Sequence, residues 1–118
     1  MKKTPRRKPT PRQPSTLERK FSLIWLSIKG PDLTPEHVFY PGRKWRADFA
    51  HMESRTLIEV EGGAYGGRHT RPQGFKADLD KYFAAAMAGW RVIRIGAHQI
   101  NVQTLEQIRD LIKDNKTS

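Results

Sequence analysis

The chain has no cysteine. Disulfides and thiolate metal sites are therefore excluded. No apolar run approaches the roughly 20 residues that a bilayer-spanning helix needs. The basic start is not followed by the apolar stretch of a secretory signal. These absences set the expectation of a cytoplasmic protein with no membrane contact. Acids are scarce, with 12 Asp and Glu against 22 Lys and Arg and a net charge of +10. On a chain of 118 residues this excess points to a polyanionic partner, nucleic acid first. An acidic membrane surface would instead select a basic amphipathic helix, and none of the helical patterns fits that description. Apolar residues make up 36%, enough for one small core.

The charge is unevenly spread. Residues 1–14 carry six basic residues, four prolines and no acid. That composition buries nothing, so a disordered basic arm precedes one domain over 15–118. Arg6, Arg7 and Lys8 are its densest basic run. They would grip phosphates without sequence preference; a solubilising tail is the plainer alternative.

The next stretch, "STLERKFSLIWLSIKG", reads as a helix. Ser15 and Glu18 form a capping box, and Leu17, Phe21, Ile24, Trp25 and Ile28 share one face. Residues 44–50 and 56–62 then read as a hairpin, with a further strand near "HVFY". A glycine-rich loop over 62–74 carries Arg68, His69 and Arg71. The helix after it should bury Phe75, Leu79, Tyr82, Phe83 and Ala86, with Gly89 at its C′ position. "WRVIRIG" is a strand parallel to the one before that helix. A last helix turns Val102, Leu105, Ile108 and Ile112 inward. Trp25, Trp45 and Trp90 fit core positions, and His51 and His98 have no role.

One stretch resists a purely structural reading. In "LIEVEGG", Glu59 and Glu61 share one strand face, with Ile58 and Val60 on the other. A turn centred between Glu53 and Ser54 would set Asp48 opposite Glu59 and Arg46 opposite Glu61. Like charges facing across strands are destabilising, so a bound cation is the natural reason to keep three carboxylates together. Oxygen-only ligands suit Mg²⁺ or Mn²⁺. On a basic protein, a carboxylate-bound metal points to phosphodiester chemistry. The plainer alternative is a solvated sheet face with Arg46 paired to one glutamate.

These residues resemble the PD-(D/E)XK nuclease superfamily. Its signature places an aspartate on one hairpin strand and Glu-x-Lys on the next; here it is matched by Asp48 and then Glu59-Val60-Glu61. The string "DFA…LIEVEGG…GRHT…GF…D…K…GWRVIRI" is similar to small phage and bacterial nucleases of the very-short-patch-repair and resolvase-like branch. The resemblance implies an α/β, restriction-endonuclease-like core, a mixed β-sheet flanked by helices. It implies Mg²⁺- or Mn²⁺-dependent hydrolysis of DNA, in the host cytoplasm if the gene is phage-borne. Asp48, Glu59 and the Val60 carbonyl would hold the metal, and Glu61 would position water.

The signature lysine is absent, and Glu61 stands in its place. Candidates for the missing cation are His69, Lys81 and Lys76, the last read as solvent-facing. Lys81 and Asp78 share a helix face and form an exposed pair in the plainer reading. Glu18 matches a helix glutamate that joins the metal in some relatives, although its capping role explains it equally. Arg43, Lys44, Arg46, Arg68 and Arg71 are the remaining phosphate-contact candidates. Within this class, a resolvase acting as a homodimer on branched DNA, such as a Holliday junction, competes with a nicking enzyme. A catalytically inactive DNA-binding protein on the same fold is the alternative from another class.

Overall fold

The computed structural model describes residues 14–62 and 72–115. Most of the expected arm and most of the glycine-rich loop lie outside them. In chain order the elements are α1 (Thr16–Ser27), β1 (Thr34–Val38), β2 (Arg46–His51), β3 (Thr56–Glu61), α2 (Pro72–Met87), β4 (Arg91–Gly96), a 3₁₀ turn (Ala97–Gln99) and α3 (Val102–Asn115). The strands form one sheet in the order β1-β2-β3-β4. Its first two pairings are antiparallel and β3–β4 is parallel. The parallel pair needs a long connection, which α2 supplies. The fold is thus a mixed α/β sheet flanked by helices, as expected. The strand foreseen near "HVFY" is β1.

Alternation along β3 sorts the two faces of the sheet. Ile58 joins Phe21 and Trp25 of α1, Phe49, Ile95, and Leu105, Ile108 and Ile112 of α3. The Phe21 ring stacks on Phe49 at 4.7 Å and on Trp25 at 5.4 Å. Leu57, pointing the other way, packs with Ala50, Ala85 of α2 and Trp90. Burying a side chain such as Leu57 or Ile58 contributes about 1.5–3 kcal/mol. Glu59 and Glu61 have the same parity as Leu57, so they face α2.

The helix ends follow local rules. Ser15 caps α1 by accepting from the Glu18 N–H at 3.1 Å. At the far end of α2, Gly89 N–H reaches Ala86 O and Trp90 N–H reaches Ala85 O, both at 3.0 Å. Gly89 has φ +87°, so this is a Schellman close with glycine at C′.

Three non-glycine residues have positive φ: Lys29 (57°), Glu36 (50°) and Arg55 (51°). Lys29 is at C′ of α1, and Arg55 ends the β2–β3 turn, where its guanidinium donates to Ala88 O at 2.6 Å and lies over the Trp90 ring. Glu36 is inside a strand, where such a conformation costs roughly 1–3 kcal/mol.

Two expectations about helix faces are corrected. Phe75, Leu79 and Phe83 are 60%, 56% and 66% exposed, and Ala86 is exposed too. Alanines make the close approach to the sheet instead, with Ala85 fully buried and Ala88 packed beside it. Lys81 and Tyr82 turn inward because glutamates on β3 attract them. Val102 at the start of α3 is also exposed, whereas Leu105, Ile108 and Ile112 are buried. No helix among the described residues is long and apolar enough to cross a membrane.

Candidate active site

The hairpin has the expected register. Phe49 pairs with Ile58, Ala50 with Leu57 and His51 with Thr56. One more step would set Asp48 against Glu59, but the ladder stops at Phe49. Beyond it the Val60 N–H donates to Asp48 Oδ2 at 2.7 Å. A side chain thus takes over a donor that lies past the last backbone pair, and the carboxylate is fixed beside β3.

Glu59 is buried. Its Oε1 receives the Lys81 ammonium at 2.6 Å and the Tyr82 hydroxyl at 3.3 Å. Two steps along, Glu61 Oε1 receives Arg94 Nε at 2.7 Å. The Tyr82 ring is flanked by cations, with the Arg94 guanidinium 4.5 Å and Lys81 Nζ 5.4 Å from its centroid. Burial pushes the Tyr82 phenol well above its ordinary range, and the Glu59 and Glu61 charges add to the shift. Tyr82 is therefore a hydrogen-bond donor here and not a base.

Asp48, Glu59, Glu61, Lys81 and Tyr82 open into one cavity of about 390 Å³, which Arg94 does not line. Glu36, Asp48, Glu59, Glu61 and Asp78 line it with Lys44, Arg46 and Lys81. Five carboxylates against three cations leave a formal charge of −2 in the wall of a protein whose net charge is +10. The cavity therefore favours a cation. Among the described residues, no group of three His, Cys, Asp or Glu side chains is gathered tightly enough to hold a metal by itself.

Seven of the expected site residues meet in this cavity: Asp48, Glu59, Val60, Glu61, Lys81, Lys44 and Arg46 all line it. Lys81 is not solvent-exposed as the plainer reading expects: its side chain is 17% exposed and lies on Glu59. Arg46 reaches Glu36, at 3.9 Å; the register across from Glu61 is lost where the ladder ends. Arg43 lies over the Trp45 ring at 4.1 Å and outside the cavity. Glu18 is buried but does not line the cavity, and Lys76 is exposed. His69, Arg68, Arg71, Arg6, Arg7 and Lys8 lie outside the described residues.

Sequence reasoning gave no site role to Glu36, Asp78, Tyr82 or Arg94. Asp78, Lys81 and Tyr82 stand at i, i+3 and i+4, one helix face, and that spacing was the available signal. Arg94 is the register partner of Glu59 on β4, a placement that no local pattern reveals.

No family model matches the chain, and no curated protein matches it in sequence. The architecture is similar to a solved structure, the "Homing Endonuclease I-Bth0305I Catalytic Domain". The TM-score is 0.57 at 19% identity, covering 88% of this chain and 96% of that one. The likeness is one of fold, a mixed sheet with flanking helices.

Proposed function

We propose that the protein is a metal-dependent DNA endonuclease with a PD-(D/E)XK-type site. The observation that carries this reading is Lys81, whose ammonium lies 2.6 Å from Glu59 Oε1 in the cavity that also holds Asp48. It supplies from α2 the cation that the strand signature lacks at Glu61. The described neighbour is itself a homing endonuclease catalytic domain, which supports DNA as the substrate.

Asp48, Glu59 and the Val60 carbonyl would hold Mg²⁺ or Mn²⁺. The donors are all hard oxygens, and the cavity's negative charge needs a cation. Two carboxylates suffice for Mg²⁺ when substrate phosphate and water complete its shell, so a three-carboxylate cage is not required. When bound, the metal neutralises the scissile phosphate and makes water more acidic. Lys81 then stabilises the charge that develops on the phosphoryl oxygens. Tyr82 holds the Glu59 carboxylate in place, and Glu61, steadied by Arg94, orients water. Lys44 and Arg46 at the rim, with Arg43, Arg68, Arg71 and the basic arm, contact the DNA backbone.

The test is cleavage with Mg²⁺ or Mn²⁺ on duplex, nicked, single-stranded, mismatched and four-way-junction DNA, with Glu59→Gln alongside. Metal-dependent cutting that the variant loses is the expected result. A preference for junctions, together with a homodimer in solution, would identify a resolvase. One observation favours the inactive binder: Glu59 Oε1 is already taken by Lys81 and Tyr82. Tight DNA binding without cutting or Mn²⁺ affinity would establish that reading.

A further inference from the structure

We infer that Glu36 is a positioning residue of this site, holding the Arg46 guanidinium at the cavity rim where the scissile phosphate enters. The inference rests on the nuclease reading and adds a residue that the signature lacks. Three observations meet at Glu36. It has φ +50° inside β1, a conformation that a residue with a Cβ avoids unless its surroundings enforce it. Unlike Lys29 and Arg55, it ends neither a helix nor a turn.

Its place in the sheet supplies the second observation. The β1–β2 partners are Thr34↔Ala50, Pro35↔Phe49, His37↔Ala47 and Val38↔Arg46. The same register puts Glu36 across from Asp48, the residue that the β2–β3 hairpin would set across from Glu59. The backbone is thus distorted at the one β1 position that faces the carboxylate row. Third, the side chain lines the cavity, and its Oε2 is 3.9 Å from Arg46 Nε. Arg46 is half in water, with a side chain 51% exposed, so it needs an anchor to present a fixed donor. Outliers of this kind are kept where they aim a group at a functional site.

The experiment is a double-mutant cycle on the full chain, with Glu36→Gln, Arg46→Gln and the pair. It reads DNA affinity by anisotropy and the single-turnover cleavage rate at saturating DNA. Glu36→Gln should leave affinity unchanged or tighter, since it removes a negative charge near the phosphates, yet slow cleavage about tenfold. The double variant should be no slower than the slower single variant. Glu36→Gly should slow cleavage as much while melting higher than wild type, because glycine takes positive φ without strain. The inference is overturned if Glu36→Gln cuts at the wild-type rate, if the two losses multiply, or if Glu36→Gly melts lower. If wild-type protein cuts none of the DNAs, the nuclease reading fails and takes the inference with it. Wild-type cutting with an inert Glu36 sinks the inference alone.

Discussion

The Lys81 ammonium and the Glu59 carboxylate meet at 2.6 Å, one from α2 and the other from β3. Their side chains are 17% and 10% exposed, so little water screens the pair. Removing the cation leaves a buried carboxylate short of its partner. Lys81→Met should therefore lose about 3 kcal/mol of stability, the low end for a buried pair because both groups keep some water contact. Urea unfolding of the metal-free protein measures this. Cleavage should fall by about 10²–10³-fold, as for loss of one preorganised charge-stabilising group. A variant that cuts normally would remove Lys81 from the site.

Asp48 separates structure from chemistry. Its Oδ2 accepts the Val60 N–H, and an amide oxygen is able to do the same. Asp48→Asn should stay within about 1 kcal/mol of wild type, whereas Asp48→Ala, which strands the donor, should cost about 1–3 kcal/mol. Both should abolish metal-dependent cutting. Parallel urea curves and cleavage assays check this, and equal stability of the two variants would contradict the geometry.

Tyr82 links the site to alkaline stability. Its phenol titrates above the ordinary value of 10.0, first through burial and then through Glu59 and Glu61. The unfolded chain loses this proton first as pH rises, so the native state then binds more protons and stability falls. The contribution is intact below pH 10 and is lost above it. Tyr82→Phe should flatten the fall in stability above pH 10, read as the difference between the two proteins in denaturant midpoints. An unchanged slope would mean that the phenol is not held protonated.

The outward face of α2 gives a test by contrast. Phe83 is 66% exposed and Leu57 is 1% exposed. Phe83→Gln should change stability by less than about 1 kcal/mol, since surface substitutions away from packed features move it little. Leu57→Ala should cost about 2–5 kcal/mol. Thermal or urea unfolding of both variants is sufficient, and a large loss at Phe83 would restore the face expected from the sequence.

That expectation failed for a physical reason. Helical spacing identifies apolar residues that share a face, but not which face the sheet takes. Here Ala85 fits close to the strands, and Lys81 and Tyr82 are drawn in by Glu59, so the larger apolar residues point outward. The hairpin was legible because a short turn fixes its register, and the alternation of β3 fixes which way Glu59 faces. Asp48 and Glu59 followed from those two rules. The end of the ladder at Phe49 was not legible, since it depends on a side chain bonding a backbone N–H across strands. Glu36 was hidden likewise, because its position depends on a third strand and on a backbone angle that its residue type disfavours.

The Val60 amide has an unusual protector. An ordinary sheet amide is shielded by a neighbouring carbonyl, and its hydrogen exchange reports the opening of backbone structure. The Val60 proton rests instead on an Asp48 oxygen, the group proposed to receive metal. Its exchange rate and its NMR shift are thus tied to the charge and occupancy of one carboxylate. A single amide signal, on an otherwise unmodified chain, is a built-in gauge of what enters the cavity, with no need for a turnover to be seen.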